Sequence, residues 1–442
     1  MRGRNRINIK ILGILTSVSM LFSVFAAAFP VYAESTGADS AAAESKAAAA
    51  SEDQALTNLV DGWPAMRDIN EQSGYIIDAD NLGILYSKNS RATRYPASTT
   101  KIMTALLTIE NCALTDKITM TSTGTEVAVS GSTNAGTVNG EEFTIEEALS
   151  MLLLKSANDI ANQLAEHIAG SIPAFADMMN ARAKEIGCEE THFNNPSGLP
   201  DSEHYTTPHD MALIMRECIK NETFVRIAGM ESCTIPPTNM TSSERVYTNH
   251  NKLLVKDSEY YYEYCIGGKT GYTDAAWRTY VAAAKKDGRT LVCVLMRGPD
   301  KTDFEDARDL FEYGFNNFRK VEVDGGSVNL PEGIGEEYLS SETEEGADGK
   351  LHTTYFYNQL EVGTAVTDKP APQSEVSSAA DSAESAAESP RSSAKTNVKK
   401  SDARALIITL LVVAIVFAAT YAYKKRLDQI RREKRRRKRD KR

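Results

Sequence analysis

An α+β fold is predicted, with one antiparallel sheet covered by helices and a helical subdomain inserted between its strands. Three observations carry the prediction. Strand-like runs stand at both ends of the central sequence, Gly74-Tyr-Ile-Ile-Asp78 with Gly83-Ile-Leu-Tyr86 at one end and Tyr264 to Met296 at the other. Residues 143 to 217 between them are mainly helix-periodic, and Phe304 to Phe318 closes the region as an amphipathic run. A chain whose first and last strands must each bury a face most simply makes them neighbours in one sheet.

Along the 442 residues, the ends separate first by composition. Arg2, Arg4, Arg6 and Lys10 precede an apolar run from Ile11 to Phe29, and Val31-Tyr-Ala33 offers small residues for cleavage. Residues 1–33 thus read as a signal peptide cut after Ala33, with an uncleaved anchor as the alternative. Ala, Ser and Glu dominate residues 34–55, the composition of a disordered spacer. At the other end, Ala405 to Tyr423 is a run of 19 residues without a charge, the length of a transmembrane helix. The tail beyond it, 424–442, holds 13 Lys/Arg against three acids and belongs on the cytoplasmic side. Its Arg435 to Arg439 cluster reads as a topology determinant that meets anionic lipid rather than as a nucleic-acid site. With tail and leader set aside, the formal charge of −10 becomes −24 for residues 34–423, which argues against polyanionic partners.

The predicted fold begins near Leu56, and residues 56–319 form its main domain. Asp80-Asn81 supplies a turn between the first two strands. A helix starts at the stretch Tyr95-Pro-Ala-Ser-Thr-Thr-Lys101 and runs to about Asn111; Ile118 to Met120 is strand-like, and Ser130 to Gly140 reads as a mobile loop. Thr144-Ile-Glu-Glu147 is a capping box ahead of a helix from Ile145 to Leu154. Further helices are expected at 160–169 and 173–186, then a loop at Asn194-Asn-Pro-Ser-Gly198. Arg278 to Ala284 and Thr290 to Met296 flank Lys286-Asp-Gly288 as a hairpin. Residues 320–366 alternate weakly enough to suggest a small β appendage, and 367–404, rich in Ser, Ala, Pro and acids, a disordered stalk reaching roughly 30 to 35 Å. Six cysteines lie at Cys112, Cys188, Cys218, Cys233, Cys265 and Cys293 without metal-ligand spacing. Most sit in apolar runs and read as free and buried.

The chemistry is carried by three short motifs. Ser98 and Lys101 lie at i and i+3, so both occupy one face of the helix start, as a serine nucleophile and a lysine base require. The pattern recurs at Ser392-Ser-Ala-Lys395, inside the low-complexity stalk, and therefore needs partners. Ser156 and Asn158 supply a Ser-x-Asn directly after a predicted helix, and Lys269-Thr270-Gly271 is the one Lys-Thr-Gly of the chain, on a predicted strand. Ser132-Thr-Asn134 also fits the middle motif, but in the loop expected to move. Three motifs in this order and context outweigh any one alone.

Together with Leu152 to Asp159, Asn195 to Leu199, Thr206-Thr207 with Asp210, and Tyr313 to Phe318, they make residues 56–320 resemble the penicillin-recognising serine transferases. The resemblance is greatest to the low-molecular-mass D-alanyl-D-alanine carboxypeptidases, serine peptidases of the S11 type. It implies a β-lactamase/transpeptidase-like fold. It further implies that Ser98 attacks the bond between the last two D-alanines of a peptidoglycan stem peptide, with Lys101 as proton acceptor. Ser156 would serve the departing amine and Asn158 would orient Lys101. Lys269 and Thr270 would hold the terminal carboxylate, Gly271 would admit the substrate to the strand edge, and the N–H groups of Ser98 and Tyr272 would form the oxyanion hole. β-Lactams would act as covalent inhibitors; no metal or cofactor is implied. Histidines 204, 209 and 250 read as loop or surface residues. Two departures stand out: Asp303 occupies a place expected to be basic, leaving Arg278 and Arg297 as candidates near the carboxylate, and Trp277 stands where a small residue is usual. D,D-Endopeptidase action, β-lactamase turnover and an inactive wall-binding scaffold are the alternative readings.

Overall fold

The computed structural model describes residues 55–127 and 132–369. The expectations for the leader, spacer, stalk, transmembrane helix and tail fall outside them, apart from Ala55 and residues 367–369. Among the described residues no helix is long and apolar enough to cross a membrane.

Five antiparallel strands make the central sheet: β1 (Ser73–Asp78), β2 (Ile84–Lys88), β7 (Cys265–Thr273), β8 (Trp277–Lys286) and β9 (Arg289–Gly298). Their order is β2-β1-β9-β8-β7, so the first strand does pair with the last, with Ile76 opposite Cys293. Between β8 and β9 the turn residues Asp287 and Gly288 both have positive φ, 50° and 80°. That geometry matches the twist of a two-residue hairpin, and glycine supplies half of it without a steric penalty.

Both faces of the sheet are covered, and the side-chain period of two divides its residues between two cores. Tyr75, Ile77, Val281, Ala283, Val292, Val294 and Met296 face the helical subdomain. Ile76, Tyr280, Ala282, Leu291, Cys293 and Leu295 face the other layer, where Phe304, Leu310 and Phe311 descend from the closing helix. The helices are α1 (Lys101–Asn111), α2 (Ser122–Thr125), α3 (Ile145–Ser150), α4 (Asn158–Ala169), α5 (Ile172–Ile186), α6 (Pro208–Ile219), α7 (Glu222–Ala228) and α8 (Asp303–Asn316). Two small two-stranded sheets, β3 (Lys117–Thr119) with β4 (Glu142–Thr144) and β5 (Ser232–Ile235) with β6 (Arg245–Thr248), lie among them.

The capping box forms: Thr144 accepts from Glu147 N–H while the Glu147 carboxylate accepts from Thr144 N–H. The helix it starts does not run regularly to Leu154. From Met151 to Lys155 it widens into a π turn that ends at Ser156 in a left-handed conformation, φ 63°. Such a bulge re-aims the chain at a functional position, at the cost of a strained residue.

Residues 318–367 build five strands, β10 (Phe318–Val323), β11 (Gly326–Pro331), β12 (Leu339–Glu345), β13 (Leu351–Tyr357) and β14 (Leu360–Thr367). They share a core with the central sheet. Trp63 packs between Phe318 and Tyr357, with ring centroids 5.0 and 6.0 Å away, and its indole N–H donates to the Leu85 carbonyl at 3.0 Å. All six cysteines are free; Cys218, Cys265 and Cys293 are buried and the other three partly so.

Candidate active site

The nucleophile candidate sits on a tight 3₁₀ turn, Ala97–Thr100, that leads into α1 rather than on the α-helix itself. Ala97 is held at φ 50°. Two buried groups brace this strained turn. Gly198 approaches so closely that a Cβ on it would lie 1.8 Å from the Ala97 carbonyl oxygen. Thr100 donates its hydroxyl to the same carbonyl at 2.8 Å and in turn contacts His204 Nε2 at 2.8 Å. His204 Nδ1 accepts from Asn194 N–H at 2.9 Å, which fixes the remaining proton on Nε2. Expected as a loop or surface residue, His204 does lie in a loop but is only 2 % exposed, and burial pushes its pKa down to about 4.

Lys101 is fully buried, and three oxygens surround its Nζ: Ser98 Oγ at 3.1 Å, Asn158 Oδ1 at 2.6 Å and the Ser197 carbonyl at 2.6 Å. Burial lowers its pKa well below the ordinary lysine range, Lys269 adds to this, and Asp159 opposes it. A neutral amine has two N–H donors and one lone pair. With Asn158 Oδ1 and the Ser197 carbonyl as acceptors for both donors, the lone pair is left for the Ser98 hydroxyl. Sequence reading missed Ser197. Its loop is built by Asn195, whose Oδ1 accepts from the N–H groups of Ser197, Gly198 and Leu199 at 3.1, 2.7 and 3.2 Å. The Pro-Ser-Gly composition signalled a turn, but not that its carbonyl would reach a lysine.

Ser98, Ser156, Asn158, Thr270, Gly271 and Tyr272 line one cleft of about 580 Å³. Lys101 and Lys269 lie beneath its surface, 0 % and 1 % exposed. Burial brings the Lys269 pKa down to about 7, and its Nζ donates to the Thr270 carbonyl at 2.7 Å. Gly271 has a role beyond admitting a substrate. A Cβ there would lie 2.3 Å from Thr279 Oγ1 and 2.9 Å from Ser98 N, so glycine lets β7 pack against the Ser98 turn.

Ser132 and Thr133 of the rival Ser-x-Asn also line the cleft. Residues 132–140, expected to be mobile, are tied to the rest of the site. Asp159 accepts from Ala135 and Thr137 N–H at 3.0 and 3.2 Å, Asn158 N–H donates to the Thr133 carbonyl at 2.9 Å, and the Tyr247 hydroxyl donates to the Ala135 carbonyl at 3.1 Å.

Of the two candidate arginines, Arg278 lines the cleft, whereas Arg297 stacks on Trp277 at 5.1 Å. Asp303, in the first turn of α8 and 1 % exposed, accepts from Arg278 Nη2 at 2.9 Å and Nε at 3.2 Å. The acid found in place of a base therefore holds a base at the cleft. Among the described residues no group of His, Cys, Asp or Glu has the arrangement to hold a metal ion.

A buried lysine poised on a serine hydroxyl, with backbone N–H groups and cations around one strand edge, defines a serine acyl-transfer site. Residues 61–300 match the D-alanyl-D-alanine carboxypeptidase family model, peptidase S11, and the chain belongs to that family of serine peptidases. It is 34 % identical over 250 residues to the D-alanyl-D-alanine carboxypeptidase DacB2 of Mycobacterium tuberculosis, covering 55 % of this chain and 82 % of that protein. To the carboxypeptidase DacF of Bacillus subtilis it is 30 % identical, over 63 % of this chain and 73 % of the relative. The solved structure of the Streptomyces K15 DD-transpeptidase superposes with a TM-score of 0.54 at 28 % identity, covering 57 % of this chain and 99 % of that one.

Proposed function

We propose that the protein removes the terminal D-alanine from pentapeptide stems of peptidoglycan through an acyl-enzyme on Ser98. The observation that carries this reading is the coordination of Lys101, whose lone pair has only the Ser98 hydroxyl to meet. Neutral Lys101 takes the Ser98 proton as Oγ attacks the penultimate D-alanine carbonyl carbon. The resulting oxyanion sits against the N–H groups of Ser98 and Tyr272. Ser156, aimed into the cleft by its left-handed backbone, relays a proton to the departing D-alanine amine. Thr270, Lys269 and Arg278 hold the terminal carboxylate, and Arg278 stays aimed at it through Asp303. Water then hydrolyses the ester with Lys101 again as base, restoring the Ser98 hydroxyl. A β-lactam enters the same path and stalls at the ester, which makes it a covalent inhibitor.

The leader-like start and the apolar segment 405–423 support a place on the outer face of a bacterial cell membrane, with one C-terminal anchor and a basic cytoplasmic tail. The test is D-alanine release from a pentapeptide muropeptide by the full chain and by Ser98→Ala. Release by the first and none by the second supports the proposal; release by both, or by neither, overturns it.

A further inference from the structure

The cleft does not end at Thr270. Beyond it, His250 and Lys252 line the same cavity together with Arg278 and Phe304. Their placement is built into the fold. From Asn249 to Leu253 every second residue is buried: Asn249, Asn251 and Leu253 are 2 %, 1 % and 0 % exposed. Asn249 Nδ2 donates to the Ala228 and Met230 carbonyls at 3.3 and 2.9 Å, while Asn251 Oδ1 accepts from the Tyr280 hydroxyl at 2.6 Å and from Leu253 N–H at 3.1 Å. With Asn249, Asn251 and Leu253 anchored inward through this bend and turn, His250 and Lys252 are left exposed, and both line the cleft.

Charge accumulates at this end. Burial, and then the neighbouring Lys269, Lys155, Lys252 and Arg278, bring the His250 pKa down to about 4, so its imidazole enters the cleft as a neutral hydrogen-bonding group beside the Lys252 charge. The Arg278 charge is offset by Asp303 and Asp300, and Asp274 lies on the rim, bonded by the Tyr272 hydroxyl at 3.2 Å. Lys252 has no carboxylate partner among the described residues. One substrate carboxylate, held by Thr270, Lys269 and Arg278, leaves that lysine without a counter-charge, in a domain whose overall balance is strongly acidic.

We infer that His250 and Lys252 form a second anion subsite on the leaving-group side of the cleft, selecting substrates whose departing D-amino acid carries an additional carboxylate. Phe304, 6 % exposed, supplies an apolar floor for the intervening methylenes. The inference rests on the proposed D,D-peptidase reading and gives its leaving group a chemical class: an acidic D-residue, or a branched peptide amine bearing acids.

The full-length protein is assayed on three acyl-L-Lys-D-Ala-D-Xaa peptides, with D-Ala, D-Gln or D-Glu at the C-terminus. D-Gln and D-Glu are nearly isosteric, so their kcat/KM ratio isolates the extra charge. We expect D-Glu to exceed D-Gln by about three- to tenfold in 50 mM salt, as one semi-exposed ion pair allows. That ratio should fall to about one in Lys252→Ala and below one in Lys252→Glu, and shrink in 500 mM salt. Equal rates on D-Glu and D-Gln in the unsubstituted protein, or a preference that survives both Lys252 variants, overturn the subsite. Absence of cleavage of the D-Ala peptide overturns instead the peptidase reading beneath it, so the two failures are distinguishable.

Discussion

Glu71→Gln is predicted to abolish a large part of the stability that the protein loses as pH rises from about 4.5 to about 8. Glu71 and Asp306 are 1 % and 0 % exposed and meet behind the loop that leads into α8. Thr302 donates to Glu71 Oε1 at 3.0 Å, and Asn70 N–H donates to Asp306 Oδ2 at 2.8 Å, with Arg67 beside it at 2.6 Å. Two buried carboxyls in contact share one proton. Burial first, then the hydrogen bond with Asp306 and its charge, pushes the Glu71 pKa up to about 8, while Asp306 is held below its ordinary value. A carboxyl protonated in the fold but ionised in the unfolded chain supports folding fully below the unfolded value of 4.5, and loses that support as pH rises through 8. At about 1.4 kcal/mol per pKa unit, the loss is roughly 3 kcal/mol at pH 7 and approaches 5 kcal/mol above pH 8. The opposite shift of Asp306 acts only in the acid range. Glutamine keeps the shape and donates permanently to Asp306. Urea unfolding followed by the fluorescence of Trp63 and Trp277, between pH 5 and 9, should show the wild-type curve falling relative to the Glu71→Gln curve by several kcal/mol. Parallel curves would refute the shared-proton account.

Gly271→Ala should slow penicillin acylation at least tenfold, because the new methyl meets Thr279 Oγ1 and Ser98 N at 2.3 and 2.9 Å; stopped labelling time courses measure it, and wild-type rates would contradict the tight packing. Asn195→Ala should cost about 1 to 3 kcal/mol in urea unfolding and reduce acylation as well, since the Ser197 carbonyl loses its support at Lys101. With the Lys101 pKa lowered by burial, the acylation rate should fall as pH drops through that depressed value and reach its plateau well before the ordinary lysine range. A rate that still climbs toward pH 10 would mean that Lys101 is charged at neutrality.

The central sheet was legible because strand alternation, the Asp287-Gly288 turn and the Thr144 capping box are local signals, and local geometry realises them. Ser98, Lys101, Ser156, Asn158 and Lys269 were legible as spaced motifs. What supports them was not. The Ser197 carbonyl and the neutral His204 act through backbone atoms or burial, which residue identity does not encode. The π turn at Met151–Lys155 follows an ordinary helical pattern until the chain must deliver Ser156 to the cleft. Asp303 looked like a departure because its partner, Arg278, lies 25 residues away in sequence and meets it only across β8 and α8.

The most direct test of the account is where a β-lactam attaches. After incubation with benzylpenicillin, intact mass spectrometry followed by peptide mapping should find one penicilloyl group, on the peptide containing Ser98, and none on Ser98→Ala or on the peptide containing Ser392. An adduct that persists in Ser98→Ala, or maps to another serine, would contradict the assignment of Ser98 and Lys101 as the acylation centre.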